Sequence, residues 1–283
     1  MSNDTCRIAA LQLESGADVA DNLARIDELA TEAAARGARL VYLPENCAFF
    51  AAGDSARAAV AEAPGAGPVQ AALGELARRL DVEIVAGSLP LAIPGDRRVY
   101  AASVLFGADG APRAVYRKLH LFDVDIPERD ERYRESAYHA PGDEVVTADT
   151  RAGRLGLSIC YDLRFPELYR RLVADGATVL GVPSAFTEAT GRAHWQTLLR
   201  ARAIENLAWV VAPAQHGLHP GGRRTWGHTL VIDPWGRVVA SREAGSGVVV
   251  AEIDQDETAR LRRAFPVLEH RRLDAGHPER INT

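Results

Sequence analysis

Apolar strand-like segments alternate with helix-like segments along this chain, and that alternation limits its possible folds more than any other feature. Residues 7–13 are mostly apolar, as in a buried strand, and the next segment repeats apolar residues at helical spacing from Val19 to Leu29. A second strand is predicted at 39–43, where Pro44 ends it. Because the same order recurs in the second half, we predict an α/β fold whose sheets carry helices on their outer faces.

The remaining helices and strands are predicted from the same apolar periodicities. We predict helices at 69–80, 165–175 and 192–206, and strands at 82–89, 99–106, 111–117, 154–160, 177–182, 208–214, 229–233, 237–240 and 247–253. The turn sequence at 108–110 indicates a hairpin. Residues 123–142 are highly charged and lack periodicity, so we expect a long ordered loop over a site. No Gly/Ser linker interrupts the chain, and one domain over residues 1–283 is expected.

Composition and charge argue against several classes of protein. The chain has 283 residues and a net charge of −5, which provides no broad basic surface for nucleic acid or anionic lipid. Its 3 cysteines are irregularly spaced, so a reducing compartment fits better than a disulfide framework. There is no signal-peptide pattern and no apolar run near the roughly 20 residues of a membrane span. We therefore expect a cytoplasmic protein with neither a membrane nor a nucleic-acid partner.

Cys160 is the first candidate for chemistry. It ends an apolar strand and precedes Pro166, which suits the first turn of a helix. A cysteine at such a turn points outward near the positive end of a helix dipole, which lowers the thiol pKa and favours the nucleophilic thiolate. The alternative, judged from the local sequence alone, is a buried packing cysteine.

Glu45 and Lys118 are candidates for the proton acceptor and the positive charge that a thiol needs when it attacks an amide. Glu45 ends the second strand, at the edge where α/β sheets build sites, and Lys118 follows another strand. Taken singly, Glu45 could be a solvated strand-end carboxylate and Lys118 a surface charge. Cys47 and Cys6 are expected to be packing residues.

Three motifs together resemble those of the nitrilase, or carbon–nitrogen hydrolase, superfamily. They are LPEN at 43–46, RKLHLFD at 117–123 and ICYDLRFPEL at 159–168, in the family's order. The resemblance extends from residue 8 to about 272, and it implies a four-layer αββα sandwich of two mixed sheets flanked by helices. Residues 183–186, 191–195, 199–205, 226–228, 232–236 and 265–272 further resemble the group of deaminated-glutathione amidases and ω-amidases.

The resemblance also implies the catalytic roles. Cys160 would be the nucleophile and Glu45 the general base, while Lys118 and the backbone N–H of Tyr161 would stabilise the oxyanion. Glu135 matches a further family glutamate, which helps to position the substrate and the lysine. The mechanism implied by these residues needs no metal and no cofactor.

Arg164, Phe186 and Thr190 match positions where that group holds a substrate carboxylate. The chemistry supports Arg164, because a guanidinium forms bidentate pairs with carboxylates, although a structural ion pair beneath the turn is its alternative. The resemblance thus implies an amidase that converts a terminal carboxamide, in an α-keto-acid amide or a deaminated-glutathione-like substrate, into acid and ammonia through a cysteine thioester.

Several alternatives remain open at this stage. The same triad would serve N-carbamoyl amino acids, aliphatic amides or nitriles, and a non-catalytic interaction protein on the same fold is a remote alternative. A Cys–His peptidase lacks a partner motif around any of the 8 histidines. The basic loop at 221–224 supports no specificity argument. The resemblance implies a homodimer or larger even-numbered assembly, in which the tail at about 265–283 extends the contact between subunits.

Overall fold

Two six-stranded sheets form the centre of the molecule. The computed structural model describes residues 5–50, 56–126 and 131–273. Its strands are β1 (Thr5–Gln12), β2 (Leu40–Tyr42), β3 (Glu83–Ala92), β4 (Val99–Phe106), β5 (Pro112–Arg117), β6 (Asp123–Ile126), β7 (Glu131–Arg134), β8 (Thr147–Thr150), β9 (Gly153–Leu157), β10 (Val179–Gly181), β11 (Trp209–Ala212), β12 (His216–Leu218), β13 (Arg224–Trp226), β14 (Thr229–Ile232), β15 (Val238–Arg242) and β16 (Gly247–Asp254). Its helices are α1 (Val19–Ala35), α2 (Ala56–Ala59), α3 (Pro68–Leu80), α4 (Pro166–Ala174), α5 (Glu188–Asn206) and α6 (Gln255–Ala264).

Both sheets are mixed. The first has the order β16-β1-β2-β3-β4-β5 and the second the order β15-β14-β11-β10-β9-β8. The central pairs, such as β1–β2 and β10–β11, are parallel, while the outer pairs are antiparallel. The predicted hairpin formed by β4 and β5 is confirmed. The last strand, β16, pairs antiparallel with β1 along its whole length, so the chain returns to the first sheet after completing the second.

Alternate residues of β1 face two different layers, as the two-residue period of a strand requires. Ile8 and Ala10 belong to a core that also contains buried residues of the second sheet and of α4 and α5. Ala9 and Leu11 belong to a second core, which the first sheet forms with α1 and α3. The layers therefore run helix, sheet, sheet, helix, and the predicted αββα sandwich is confirmed.

The two sheets approach closely beneath the site. The side chain of Tyr42 on β2 reaches across to Gly181 on β10, where an added Cβ would collide with the Tyr42 hydroxyl. This close approach brings the ends of β2 and β10 together, so residues that follow one strand can contact residues that follow the other. No helix in the described part of the chain is long and apolar enough to cross a membrane.

Two predictions of local structure are wrong. The helix expected at 192–206 begins earlier, at Glu188, because the Thr187 side chain accepts a hydrogen bond from the amide of Thr190 and caps it. The segment at 123–142 is not a loop throughout, since β6 and β7 form an antiparallel hairpin. Asp125 on β6 forms ion pairs with two arginines of β7. These charges stabilise the paired strands, although in the sequence they are also typical of a loop.

Candidate active site

Cys160 lies at the start of a short 3-10 turn, Cys160–Arg164, between β9 and α4. Its backbone has a φ of 48°, in the left-handed region that non-glycine residues rarely adopt. The Cys160 amide donates a hydrogen bond to the carbonyl of Pro183 at 2.9 Å, and this bond ties the turn to the end of β10. Strained residues of this kind persist where the surrounding structure holds them, which here means a buried network around the turn.

Asp162 is the centre of that network, and its side chain is fully buried. One oxygen accepts hydrogen bonds from the Ile159 amide at 2.8 Å and the Tyr116 hydroxyl at 2.7 Å. The other lies 3.1 Å from the His120 amide and 2.7 Å from its Nδ1. Asp162 therefore joins the turn that carries Cys160 to the segment that carries Lys118. Asp162 was not among the predicted site residues, although it stands inside the cysteine motif.

Lys118 follows β5 and is the only lysine in the sequence. It is 2% exposed, so it is not a surface charge. Its Nζ donates to Glu45 Oε1 at 2.8 Å and contacts both oxygens of Glu135 at 2.9 Å. The second Glu45 oxygen accepts from the Ala185 amide at 2.8 Å, and Glu135 Oε2 accepts from the Phe122 amide at 2.6 Å. The structure thus brings together the predicted acidic and basic residues.

The electrostatics of the site differ from the prediction at one residue. Burial raises the pKa of the Cys160 thiol, and the adjacent Glu45 carboxylate raises it further, so the resting thiol is protonated. The prediction that the turn lowers this pKa is wrong, because desolvation and a neighbouring negative charge outweigh any dipole effect. Burial alone would raise the pKa of Glu45, but Lys118 outweighs burial and the pKa is lowered. Glu45 is therefore an ionised carboxylate near a neutral thiol.

Lys118 remains charged despite its burial. Burial alone would lower its pKa, but Glu135 and Glu45 outweigh that effect and raise the pKa above its ordinary value. An ammonium has three N–H donors, and the two oxygens of Glu135, which are equally distant from Nζ, can share one of them, which leaves a donor beyond the one given to Glu45. Lys118 can therefore both fix the two glutamates and donate to a negative oxygen that forms near Cys160.

A pocket opens above these residues. Every residue that the sequence analysis placed in the site lines it, namely Glu45, Lys118, Glu135, Cys160, Tyr161, Arg164, Phe186 and Thr190. Seven other lining residues were missed, namely Asn46, Arg57, Phe122, Tyr133, Ala185, Thr187 and Arg223. Arg223 comes from the basic loop at 221–224, so its charge was a signal that the sequence analysis set aside. No sequence signal indicated Arg57.

Arg164 faces the pocket rather than a structural carboxylate. Its guanidinium carbon lies 5.3 Å from the centre of the Phe186 ring, and Nη1 is 3.2 Å from His194 Nδ1. No ion pair involves Arg164 within residues 5–50, 56–126 and 131–273, so the alternative of a structural ion pair is not supported. Cys47 does not line the pocket, and burial raises the pKa of its thiol to about 12, as expected of a packing residue.

Comparisons with known proteins identify the family of the chain. The carbon–nitrogen hydrolase family model matches residues 7–263. The deaminated glutathione amidase of Yersinia enterocolitica is 43% identical over 267 residues, which span 94% of this chain and 93% of that protein. The crystal structure of the C. elegans NitFhit protein has a TM-score of 0.89 at 39% identity and covers 98% of this chain and 67% of its own.

A third relative carries chemical information. It is a variant of the amidase from Nesterenkonia sp. AN1, whose structure is described as showing covalent addition of the acetamide moiety of fluoroacetamide at the active site cysteine. Its TM-score is 0.76 at 28% identity, with 92% of this chain and 96% of that chain covered. Together, the fold, the buried glutamate–lysine–cysteine site and these matches show that the chain belongs to the carbon–nitrogen hydrolase family and is an amidase that acts on non-peptide carbon–nitrogen bonds.

Proposed function

We propose that this amidase hydrolyses the carboxamide of an α-keto-acid amide or of deaminated glutathione, through a thioester on Cys160. The observation that carries the proposal is the contact of buried Lys118 with Glu45 and Glu135 in the pocket that Cys160 lines. The name of the Yersinia enterocolitica relative supports the substrate. The side chains already provide a base, a nucleophile and a cation for the oxyanion, so no metal or cofactor enters the mechanism.

The first half of the reaction forms the thioester. Because the Cys160 thiol is neutral, its proton passes to the Glu45 carboxylate as sulfur adds to the amide carbon. The carbonyl oxygen becomes an oxyanion, which Lys118 and the Tyr161 N–H stabilise. Glu45 then gives the proton to the amide nitrogen, the carbon–nitrogen bond breaks, and the amine or ammonia leaves. The covalent cysteine adduct of the Nesterenkonia sp. AN1 amidase supports this step.

The second half releases the acid. Glu45 is again a carboxylate, and it takes a proton from a water molecule as the water oxygen adds to the thioester carbon. Lys118 and the Tyr161 N–H stabilise the second oxyanion in the same positions. When the carbon–sulfur bond breaks, Glu45 returns the proton to the Cys160 sulfur. Glu135 keeps Lys118 in place throughout, because both of its oxygens contact Nζ.

The position of Arg164 supports a substrate whose acyl half carries a carboxylate. Its guanidinium lies against Phe186 at the pocket wall, and Thr190 lines the same wall. A carboxylate bound by Arg164 would hold the substrate by its acyl half and place the amide carbon over the thiol. N-carbamoyl amino acids, aliphatic amides and nitriles are alternative substrates of the same triad. A non-catalytic interaction protein would have no use for a buried ammonium held between two carboxylates.

A product screen on the purified protein tests the proposal. The panel contains 2-oxoglutaramate, deaminated glutathione, an N-carbamoyl amino acid, a small aliphatic amide and a nitrile, with ammonia, amine and acid measured separately. We expect kcat/KM to be highest for the two oxo-acid amides. A carbamoyl amino acid or a nitrile that is hydrolysed faster than both of them would overturn the proposed substrate class and leave the amidase assignment to be redefined.

We further propose a cytoplasmic homodimer built from a single domain. The three cysteines are free, which supports a reducing compartment. Large apolar side chains are exposed near the C-terminal part of α5 and beyond it, with Ile204 47%, Trp235 52% and Phe265 47% exposed. Trp235 and Phe265 lie against each other, which supports a contact between subunits that includes the tail from residue 265. Residues 274–283 of that tail lie outside the described residues.

A further inference from the structure

Arg223 places a positive charge in the active-site pocket without a carboxylate to neutralise it. Its guanidinium carbon lies 5.4 Å from the centre of the Phe50 ring and 5.1 Å from that of Tyr133. Nη2 donates to the carbonyl of Ala185 at 3.0 Å, while Nε is buried without a hydrogen-bond partner. No ion pair within residues 5–50, 56–126 and 131–273 involves Arg223. The side chain is thus fixed by rings and a carbonyl, with its charge available to a ligand.

The catalytic centre itself repels anions. Glu45 and Glu135 share the single ammonium of Lys118, and the Cys160 thiol is neutral, so these four side chains are negative in sum. A carboxylate of the substrate therefore cannot lie beside them at low cost, whereas an uncharged amide can. A substrate carboxylate is better placed beside the other cations that line the pocket, which include Arg164 and Arg223.

The two pocket arginines with described surroundings are held by different contacts, Arg164 by the Phe186 ring and Arg223 by the carbonyl of Ala185. Arg164 belongs to the turn that carries the nucleophile, so it is placed to hold the acyl half of a substrate. Arg223 contacts Ala185, whose amide is bound to Glu45. Glu45 must protonate the leaving nitrogen, so the amine half extends toward Arg223.

We propose that Arg223 is a specificity residue that binds a carboxylate carried by the amine half of the substrate. The proposal rests on the function proposed above and narrows it to amides of amino acids or peptides, in preference to primary amides. Deaminated glutathione has this chemistry, because its amine half is a dipeptide that ends in a free carboxylate.

Three substrates with the same 2-oxoglutaryl acyl half test the proposal. They are deaminated glutathione, its derivative with the terminal carboxylate converted to a carboxamide, and 2-oxoglutaramate, and formation of 2-oxoglutarate is measured for each. In the wild type we expect the KM of deaminated glutathione to be about ten- to a hundredfold below that of its neutral derivative. The reason is that the neutral derivative cannot form the charge-assisted hydrogen bond with Arg223, and the loss of one such bond has about this effect. This comparison requires no variant, so it does not depend on how any variant folds.

Arg223→Gln should bring that ratio of KM values close to one, while Arg224→Gln should leave it unchanged. Arg224 is the matched control, because it is the adjacent arginine, is exposed and does not line the pocket. If the KM values of deaminated glutathione and its neutral derivative are nearly equal in the wild type, or if they differ as much in Arg223→Gln as in the wild type, the role of Arg223 is overturned. Hydrolysis of 2-oxoglutaramate would still support the proposed function in either case. Failure of the wild type to hydrolyse any of the three substrates overturns both proposals.

Discussion

Lys118→Met removes the charge that joins the two glutamates of the site and keeps a side chain of similar length. In the wild type the buried ammonium contacts Glu45 at 2.8 Å and Glu135 at 2.9 Å. Without it, two carboxylates remain close together and largely buried, with 6% and 15% of their side chains exposed. Because methionine fills most of the lysine volume, the main consequence is electrostatic rather than a cavity.

The expected loss of stability is about 3–5 kcal/mol at pH 8, the usual range when one partner of a buried ion pair is removed. The loss depends on pH. In the wild type the pKa of Glu45 is lowered, so its stabilising contribution is present above the unfolded-state pKa of about 4.3 and is lost as the pH falls. In the variant, burial and Glu135 raise that pKa, so stability is lost as the pH rises toward it.

The difference in the free energy of unfolding between the wild type and Lys118→Met should therefore grow from pH 5 to pH 8. For each unit by which the variant raises the pKa of Glu45, about 1.36 kcal/mol is added to the difference once the pH exceeds the raised value. Urea unfolding followed by tryptophan fluorescence, at one protein concentration and at both pH values, measures it. The variant should also be inactive at neutral pH, because its general base is protonated and the oxyanion has lost its cation.

Arg25→Met is the matched control, since it removes a cation from an ion pair with Glu28 in which both side chains are exposed. Its expected loss is below about 0.5 kcal/mol at either pH. The reasoning is refuted if Lys118→Met loses less than about 1 kcal/mol at pH 8, or if its loss is the same at pH 5 and pH 8.

Three further predictions concern the turn, the substrate and the assembly. Asp162→Asn replaces one acceptor oxygen that serves two donors, so urea unfolding should show a loss of about 3–5 kcal/mol; a loss as small as that of exposed Asp149→Asn would contradict the account. Arg164→Ala should lower kcat/KM for oxo-acid amides about ten- to a hundredfold more than for a small neutral amide, and equal losses would reject the carboxylate role. Light scattering should give an even multiple of 30.5 kDa, and a monomer at micromolar concentration would exclude the dimer.

The central strands and helices could be predicted from local sequence, and the triad from the resemblance of three motifs to those of the carbon–nitrogen hydrolase family. Apolar periodicity and proline positions identify the central strands and helices, because those signals report which face of an element is buried. The pairing of β16 with β1 could not be predicted, since it joins segments at opposite ends of the chain through backbone hydrogen bonds that carry no local signal. The β6–β7 hairpin was missed because its stabilising charges also suit a solvated loop.

Sequence motifs identified most residues that form the site, but the burial and pKa values of those residues depend on tertiary structure. The motifs named Cys160, but its raised pKa results from its burial and from Glu45, a residue far away in sequence. Lys118 seemed exposed by residue type, yet it is buried because two carboxylates from different segments surround it. Arg223 was left out because a glycine-rich loop gives no indication of which way its side chains point.

The central claim is that Cys160, activated by Glu45, carries the acyl group during hydrolysis. Mass spectrometry of the wild type, quenched during turnover of a slow oxo-acid amide and digested, measures this directly. We expect one acyl adduct, with the mass of the substrate minus its amine, on the peptide that contains Cys160, and none in Cys160→Ala. An adduct on Cys6 or Cys47, or turnover by Cys160→Ala at the wild-type rate, would contradict it.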